Sequence, residues 1–319
     1  MNLQTKVSLK KGTRNLINYQ SKVLLIGSCF SENIDNKLGF YKFRTLQNPF
    51  GILFHPNAIE NLITNVINEK NYTEKDIIFN NERWHSLEAH SELSSSDKNE
   101  LLTNLNTKII ATNRYLKEAS HLIITLGTSW VYRHIETDTI VANCHKIPQK
   151  KFLKELLSVD EITESLDAIT TLIKSVNSEA KVIFTVSPVR HLKDGFIENT
   201  QSKAHLITAI QWLLSSQAQS RDHSYFPSYE IMMDELRDYR FYAEDMLHPN
   251  KTAINYIWQK FSDVWISDEA QQTMQEVETI QRGLSHKPFN ENSEQHQQFL
   301  QSLEAKISSL QEKHSFITF

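Results

Sequence analysis

Glycine is scarce in this sequence, with only seven among 319 residues. The chain has no G-x-G-x-x-G pattern and no Walker loop, the two glycine-rich motifs that cradle phosphates in dinucleotide- and nucleotide-binding proteins. A phosphate-cradling nucleotide site therefore has little support, and we predict no cofactor. Three of the few glycines, Gly27, Gly51 and Gly127, each stand in a stretch that otherwise resembles a functional loop.

Cysteines and long apolar runs are also lacking. Cys29 and Cys144 are the two cysteines and lie far apart, so they do not form a disulfide framework. No apolar run approaches the roughly 18–20 residues that a membrane-spanning helix requires. The N-terminal residues lack the apolar centre of a signal peptide. We therefore predict a cytoplasmic protein that has no membrane partner.

Neither sign of charge is in large excess. The formal net charge is −4 and the chain has no long Lys or Arg block, so we predict no nucleic-acid partner. Hydrophobic residues make up 39% and charged residues 23%, which is ordinary for a globular protein. A chain of 319 residues can bury one large core, or one core with an appendage.

Apolar runs that lead into polar loops alternate with amphipathic segments. The runs cover residues 23–26, 121–126 and 180–186. The helical patterns cover residues 158–177, 202–219 and about 251–264. Strands that alternate with helices predict a parallel sheet covered on both faces. Ligands gather at the carboxyl ends of such strands, where the loops beginning at Gly27, Gly127 and Ser187 would meet.

The first of these loops places a hydroxyl and a thiol side by side. Ser28 and Cys29 follow the first strand and precede a helix that Ser31 and Asn33 are able to cap. Backbone N–H groups point outward unpaired at such a turn. The turn is either a simple connection or the site of a nucleophile.

A second catalytic signal occurs late in the sequence, where Asp245 and His248 precede a helix that Pro249 and Asn250 open. A carboxylate three residues away can hold the imidazole Nδ1–H and leave Nε2 free to accept a proton. An isolated D-x-x-H more often packs the start of a helix. Its combination with a nucleophile turn after the first strand favours catalysis.

Several blocks together resemble the GSCFA-domain family. They are GSCFSENI (27–34), NPFGILFHP (48–56), TLGTSWVYR (125–133), VANCHKIP (141–148), TVSPVRHLKDG (185–195) and YFPSYEIMMDELRDYRFYAEDMLHP (225–249). One departure is Ser31, which replaces the alanine of the name-giving motif. This family is similar to the SGNH (GDSL-type) hydrolases. The resemblance implies a three-layer α/β/α sandwich with a mostly parallel, flavodoxin-like sheet, and ester chemistry.

The resemblance also orders the candidate nucleophiles. The G-D-S of SGNH enzymes, laid over Gly27-Ser28-Cys29, puts Cys29 at the nucleophile's position. A thiol at a helix N-terminus near a histidine can have a lowered pKa, whereas Ser28 would need His248 to remove its proton. We favour Cys29 narrowly over Ser28. The remaining alternative is that Cys29 is a small buried hydrophobe.

SGNH enzymes take further oxyanion donors from a glycine and an asparagine. Gly51 is the candidate glycine, and backbone N–H groups of the nucleophile turn are further candidates. The G-x-N-D block is missing, and Gly127-Thr128-Ser129-Trp130 stands in its place. Thr128 could donate instead, and Asn143 could supply the missing amide or simply hold a turn. This departure leaves the strength of hydrolysis open.

Other polar residues have two interpretations each. One group of residues could form a basic lining for an anionic or sugar substrate. The same residues could instead form ordinary salt bridges with Asp234, Asp238 and Glu244. They are Arg190, His191, Lys203, Arg237 and Arg240. Trp130 and Tyr132 suit stacking on a sugar ring, although such aromatic residues are usually core. We predict no metal site, because His85, His90, Cys144 and His145 lack zinc-finger spacing.

Residues 268–319 differ in character from residues 1–267, and we place a domain boundary between them. Two apolar stripes follow helical spacing, Met274, Val277, Ile280 and Leu284, then Phe299, Leu300, Leu303, Ile307 and Leu310. We expect Gly283 and Pro288 to separate two helices, which pack on the main domain or on another copy of the chain. A homo-oligomer formed through these helices is one possibility.

The sequence therefore predicts an ester hydrolase that forms a covalent acyl-enzyme, with a small-molecule or carbohydrate ester as substrate. One alternative is an acyltransferase that places the acyl group on a sugar or another alcohol. A second alternative is a carbohydrate- or partner-binding protein that kept the fold and lost the chemistry. The missing G-x-N-D block allows this last alternative.

Overall fold

The computed structural model describes residues 5–12, 14–216 and 223–319. The strands in these ranges are β1 Lys22–Gly27, β2 Arg44–Gln47, β3 Ile78–Asn80, β4 Arg83–His85, β5 His121–Leu126, β6 Trp130–His134, β7 Thr139–Val141, β8 Phe152–Leu156, β9 Lys181–Val186 and β10 His223–Phe226. The α-helices are α1 Phe30–Phe40, α2 Pro56–Ile67, α3 Lys98–Glu118, α4 Val159–Val176, α5 Phe196–Ser216, the short α6 Ser228–Glu230, α7 Lys251–Trp265, α8 Asp268–Leu284 and α9 Glu294–Lys313. None of them is long and apolar enough to cross a membrane.

Five parallel strands form the central sheet, in the spatial order β2-β1-β5-β9-β10. Counted along the chain within this sheet, the order is 2-1-3-4-5, the flavodoxin-like arrangement. The smaller antiparallel sheets are β3-β4 and β7-β6-β8. Helices cover both faces of the central sheet, which confirms the predicted three-layer α/β/α architecture.

The strand residues alternate between two cores, because successive side chains of a strand point to opposite faces. In β1, Leu24 and Ile26 belong to the core beneath α2, α3, α4 and α5. Val23 and Leu25 belong to the other core, which contains the buried faces of α1 and α7. Both faces of β1 are therefore buried, which explains its uninterrupted aliphatic run.

The long buried elements lie where the periodicity predicts them. The three apolar runs form β1, β5 and β9, and the helical patterns form α4, α5 and α7. The helix predicted for residues 202–219 begins earlier, at Phe196, and residues 217–219 lie outside the described ranges. Edge strands β2 and β10 have four residues each and no apolar run, so their sequences gave no strand signal.

The C-terminal helices pack on the main domain. Met274, Val277 and Ile280 of α8, with Leu303 and Leu310 of α9, join the core shared with α1 and α7. Phe299, Leu300 and Leu284 of the predicted stripes are exposed. Gly283 lies within α8, where a Cβ atom would approach Leu303 Cδ1 to 2.7 Å. This glycine therefore permits close contact between the two helices.

These helices lie toward the end of α1 that is far from Cys29. Gln281 Nε2 donates a hydrogen bond to the Phe40 carbonyl at 3.2 Å, and the His314 ring stacks on Tyr19 with 4.9 Å between centroids. Cys29 stands at the opposite end of the eleven-residue helix α1. The position of the C-terminal helices is thus outside the strand-end edge that carries the polar loops.

Truncation after residue 267 should leave a folded core with a lower melting temperature, since the apolar side chains beneath α8 and α9 would be uncovered. The strand-end loops should keep their arrangement, so any ester turnover measured for the full chain should survive. Melting temperature, mass by light scattering and turnover of fragment 1–267 test this. A fragment that cannot fold contradicts the boundary, and a folded monomer with altered turnover would make the segment a lid.

Candidate active site

A tight turn after β1 brings Cys29 to the start of α1. Gly27 ends the strand with a φ of +139°, and a Cβ atom there would stand 2.1 Å from the Thr125 carbonyl oxygen. The next residue, Ser28, donates its N–H to that same oxygen at 2.9 Å. Only glycine fits this close approach of two parallel strands. The chain then enters α1 with Cys29 as the residue before the first helical one.

The Cys29 thiol contacts the His248 imidazole, which in turn contacts the Asp245 carboxylate. The distance from Cys29 Sγ to His248 Nε2 is 3.8 Å, and that from His248 Nδ1 to Asp245 Oδ2 is 2.6 Å. The other carboxylate oxygen, Oδ1, accepts the backbone N–H groups of Leu247 and His248, both at 2.9 Å. These bonds to backbone and ring lower the pKa of Asp245 to about 2. The carboxylate therefore stays charged and holds the Nδ1–H tautomer of His248.

The two candidate nucleophiles differ in access. Ser28 is fully buried, and its Oγ has no hydrogen-bond partner in the described part of the chain. Cys29 is partly exposed and is the side chain that reaches His248. The sequence could not separate these neighbours, because the direction of each side chain depends on the turn.

The surroundings of Cys29 raise the pKa of its thiol. Burial raises its pKa above the ordinary 9.0, and the carboxylate of Glu32 adds to this effect. Lys203 and the backbone N–H groups of Cys29 and Phe30 act in the opposite direction but do not outweigh it. The expectation of a lowered pKa at the helix N-terminus is therefore wrong, because desolvation dominates. A base would have to remove the proton if Cys29 acted as a nucleophile, and His248 Nε2 is the neighbouring nitrogen.

Gly51 and Thr128, the oxyanion donors expected from the resemblance, already make hydrogen bonds within the protein. Gly51 donates its N–H to the Asn48 carbonyl at 2.7 Å, and Thr128 donates its N–H to the Phe54 carbonyl at 3.0 Å. The Thr128 hydroxyl is bonded to Ser202 Oγ at 3.0 Å and accepts the Trp130 N–H at 3.0 Å. The backbone N–H groups of Cys29 and Phe30 lower the pKa of the Cys29 thiol through hydrogen bonding, so they are the remaining candidate donors beside the sulfur.

Asn143 lines a cavity of about 420 Å³ beside the β7-β6-β8 sheet. Its Oδ1 accepts the His145 N–H at 2.9 Å, so it holds a turn, and its amide lines the cavity. Trp130 and Tyr132 form part of the wall. Phe54 also lines the cavity, and its ring makes an edge contact with His191 at 5.4 Å between centroids.

Arg190 and His191 reach the site from the loop after β9. The Arg190 guanidinium lies 4.5 Å from the ring centroid of Tyr242, and the backbone N–H of Arg190 donates to the Leu247 carbonyl at 3.3 Å. Arg190 thus supports the loop that carries His248. His191 Nε2 is buried without a hydrogen-bond partner in the described residues. Burial, then the charges of Lys203 and His248, lower the pKa of His191 to about 3, so its ring is neutral.

Arg240, His145 and His85 have structural partners. Arg240 pairs with Asp238 at 2.9 Å, which matches the salt-bridge interpretation. His145 Nε2 donates to the Ser86 carbonyl at 2.7 Å, and His85 Nε2 donates to the Asn80 carbonyl at 3.0 Å. Within residues 5–12, 14–216 and 223–319, no group of three or more His, Cys, Asp or Glu side chains could hold a metal ion.

Lys203 is the residue whose position the sequence did not reveal. It is 1% exposed, and its Nζ donates to the Gly127 carbonyl at 2.7 Å and to the Ser187 carbonyl at 2.8 Å. These carbonyls stand just beyond the ends of β5 and β9, so one ammonium joins two loops of the site. A signal was present, because Lys203 falls on the apolar face of α5 that Leu206 and Ile210 define.

Comparison with known proteins assigns the chain to a family. Residues 22–261 match the model of the GSCFA family, and residues 277–319 match the model described as GSCFA domain protein, C-terminal domain. No curated protein matches the chain. The first match covers well over half of the sequence and contains Cys29, Asp245 and His248. The chain therefore belongs to the GSCFA family.

Proposed function

We propose that the protein is an ester hydrolase that forms a covalent acyl-enzyme on Cys29. The observation that carries this proposal is the line of Cys29, His248 and Asp245, with Sγ 3.8 Å from Nε2 and Nδ1 2.6 Å from the carboxylate. A nucleophile, a base and a group that orients the base are the parts that acyl transfer requires. They occupy the carboxyl edge of a parallel sheet, where ligands bind in such folds.

The reaction would proceed in two halves. Cys29 Sγ attacks the ester carbonyl carbon while His248 Nε2 takes the thiol proton, and the carbonyl oxygen becomes an oxyanion near the N–H groups of Cys29 and Phe30. The carbon–oxygen bond then breaks, His248 returns the proton to the leaving alcohol, and a thioester remains. Water, deprotonated by His248, attacks the thioester and releases the acid and the thiol.

The likeness to SGNH hydrolases supports the same reaction class. The sheet has the 2-1-3-4-5 order, the nucleophile turn follows the first strand, and the D-x-x-H pair precedes the last helix of the sandwich, α7. A fold shared with hydrolases is weaker support than the site itself, because one fold hosts many activities. The proposal therefore rests first on the three side chains.

We propose an acylated carbohydrate or a small-molecule ester as substrate. Phe54, which lines the cavity together with Trp130, Tyr132 and Asn143, also contacts the ring of His191. Aromatic walls with a few polar groups are typical of pockets that bind sugars and similar ring compounds. The alcohol part of the ester would lie in this cavity, with its acyl carbon beside Cys29.

Stopped-flow hydrolysis of p-nitrophenyl acyl esters tests the acyl-enzyme. If a thioester forms faster than water cleaves it, the first turnover should release a burst of p-nitrophenol close to one equivalent of enzyme. Addition of a sugar as acyl acceptor distinguishes the acyltransferase alternative from the hydrolase, since an acceptor would speed turnover and yield an acylated sugar. If none of the p-nitrophenyl esters is turned over and no burst is seen, both the hydrolase proposal and the acyltransferase alternative are contradicted.

One observation favours the non-catalytic alternative. The N–H groups of Gly51 and Thr128 are both donated to backbone carbonyls, so the two oxyanion donors expected from the resemblance are not free. A carbohydrate-binding protein on this fold needs no such donors. Binding of sugars in the cavity without any acyl transfer would support this function over the hydrolase.

We also propose that the protein works in a reducing compartment such as the cytoplasm. Cys29 and Cys144 are free thiols, and the proposed chemistry requires Cys29 to stay reduced. Loss of ester turnover on mild oxidation, with recovery on addition of a thiol reductant, is the expected behaviour.

A further inference from the structure

Arg190 lines a small cavity of about 210 Å³ whose other walls come from residues 232–242, after α6. The backbone N–H of Arg190 donates to the carbonyl of Leu247, the residue before His248, at 3.3 Å. One residue therefore joins this cavity to the loop that carries His248. The cavity shares no lining residue with the 420 Å³ cavity beside the β7-β6-β8 sheet.

The Arg190 guanidinium is held by two aromatic rings. Its central carbon lies 4.5 Å from the ring centroid of Tyr242 and 5.6 Å from that of Tyr239. Tyr242 is buried, and its hydroxyl donates to Met233 Sδ at 3.9 Å, so this ring has a fixed position. A guanidinium that stacks on a ring keeps the N–H groups at its edge for other partners. The rings thus hold a planar set of donors at the cavity wall, and they bring no negative charge to neutralise it.

The charges in the cavity lining do not balance. Arg237 is a second guanidinium in this lining. Asp238 is the one carboxylate among the described lining residues, and Arg240 bonds both of its oxygens, through its backbone N–H and its guanidinium, each at 2.9 Å. In the part of the chain that the structure describes, no ion pair joins Arg190 or Arg237 to a carboxylate. The cavity therefore has two guanidiniums that no anion of the protein neutralises.

A structural role does not explain this pair of arginines. Arg190 supports the His248 loop through its backbone N–H, which any residue except proline supplies. The Arg237 side chain is exposed and adds no ion pair to the described structure. Two cations that face one cavity repel each other, so their placement costs free energy unless a ligand offsets the repulsion.

The size and chemistry of the cavity fit a small oxyanion. Its volume of about 210 Å³ is below the roughly 300–1,000 Å³ of pockets that enclose a drug-sized ligand, so it suits a single functional group. Guanidinium groups match the oxygens of phosphate and carboxylate with two parallel hydrogen bonds. The rest of the wall includes the buried apolar side chains of Met232 and Leu236, and charge interactions are stronger beside such groups than in water.

We propose that Arg190 and Arg237 form a binding site for a phosphate or carboxylate group beside the loop that carries His248. Phosphate should bind more tightly than a monocarboxylate, because its larger charge faces two guanidiniums. The site goes beyond the proposed ester hydrolysis and does not depend on it.

Isothermal titration calorimetry of the full chain with inorganic phosphate, at low ionic strength and about pH 7.5, tests the site. Saturable binding at one site is the expected result, and it should weaken as sodium chloride is added. Acetate, titrated at matched ionic strength, is the second ligand. Tighter binding of acetate than of phosphate would still support the site and would identify a carboxylate as its preferred group.

Three variants assign the binding to this cavity. Arg190→Lys keeps the charge but loses the planar set of donors, so the Kd for phosphate should rise about tenfold. Arg237→Gln removes an exposed charge that has no ion pair in the described residues, so the Kd should rise up to about fivefold at an unchanged melting temperature. Asp238→Asn removes the negative charge from the lining and should lower the Kd about threefold.

Arg133→Gln is the matched control, because Arg133 pairs with Glu155 at 2.9 Å in the β7-β6-β8 sheet and does not line this cavity. It should leave the Kd unchanged. Absence of saturable binding of both anions would overturn the proposal. A Kd that is the same in wild type, Arg190→Lys and Arg237→Gln would also overturn it, since the anion would then bind elsewhere. If Arg190→Lys does not fold, Arg237→Gln and Asp238→Asn decide by their opposite shifts. Calorimetry needs no ester turnover, so failure of the hydrolase proposal and failure of this site are distinguishable.

Discussion

Cys29→Ala is expected to lower kcat/KM for activated esters by about 10³-fold or more, because it removes the atom on which we propose that the acyl-enzyme forms. Ser28→Ala is expected to keep most of the activity. The Ser28 hydroxyl is fully buried without a hydrogen-bond partner in the described residues, so it neither reaches a substrate nor contributes a bond. Steady-state hydrolysis and melting temperature of both variants measure the difference.

Cys144→Ala is the matched control for loss of a thiol. Burial raises the pKa of Cys144 to about 11, and no basic partner comparable to His248 is bonded to it in the described structure. This variant should keep normal turnover of small activated esters. If Ser28→Ala were inactive and Cys29→Ala active, the nucleophile would be Ser28, and the turn would have to open to expose it.

Asp245→Asn should lower turnover by about 10²–10⁴-fold, because the imidazole loses the anion that fixes its tautomer. The fold should survive, since Asp245 is exposed and lies in a loop before α7. Melting temperature and kcat measured together separate the two effects. Normal turnover in a folded variant would show that Asp245 and His248 are only a packing pair.

The pH profile should agree with this role. The pKa of Asp245 is about 2, below its ordinary 3.8, so the carboxylate is charged at every pH above about 4. Its stabilising effect on the fold is complete above the unfolded pKa and is lost as pH falls through 3.8 toward 2. The activity profile from about pH 5 to 9 should therefore contain no limb from Asp245.

The sequence predicted the parts of the fold that burial dictates. The strands β1, β5 and β9 are apolar on both faces, and α4 and α7 have a clear apolar stripe, so their residues signal their structure. The edge strand β2 pairs with β1 on one side only and has four half-buried residues. Its position is fixed by pairing with a distant segment, and local pattern does not report that.

The parts of the candidate site formed by residues close together in the sequence could be predicted. Asp245 and His248 are three residues apart, so their hydrogen bond could be expected from spacing alone. The pKa of Cys29 could not, because it depends on burial and on Glu32 and Lys203 together. The engaged N–H groups of Gly51 and Thr128 likewise depend on how separate loops meet. Tertiary contacts decide which donors stay free.

The most direct test is the mass of the intact protein after brief exposure to a panel of activated acyl esters. An increase equal to one acyl group, mapped to the peptide that contains Cys29 and removed by hydroxylamine, is the expected result for a thioester intermediate. The adduct should be absent from Cys29→Ala and present in Ser28→Ala and Cys144→Ala. No adduct with any ester, or an adduct on Ser28, would contradict a covalent acyl-enzyme on Cys29.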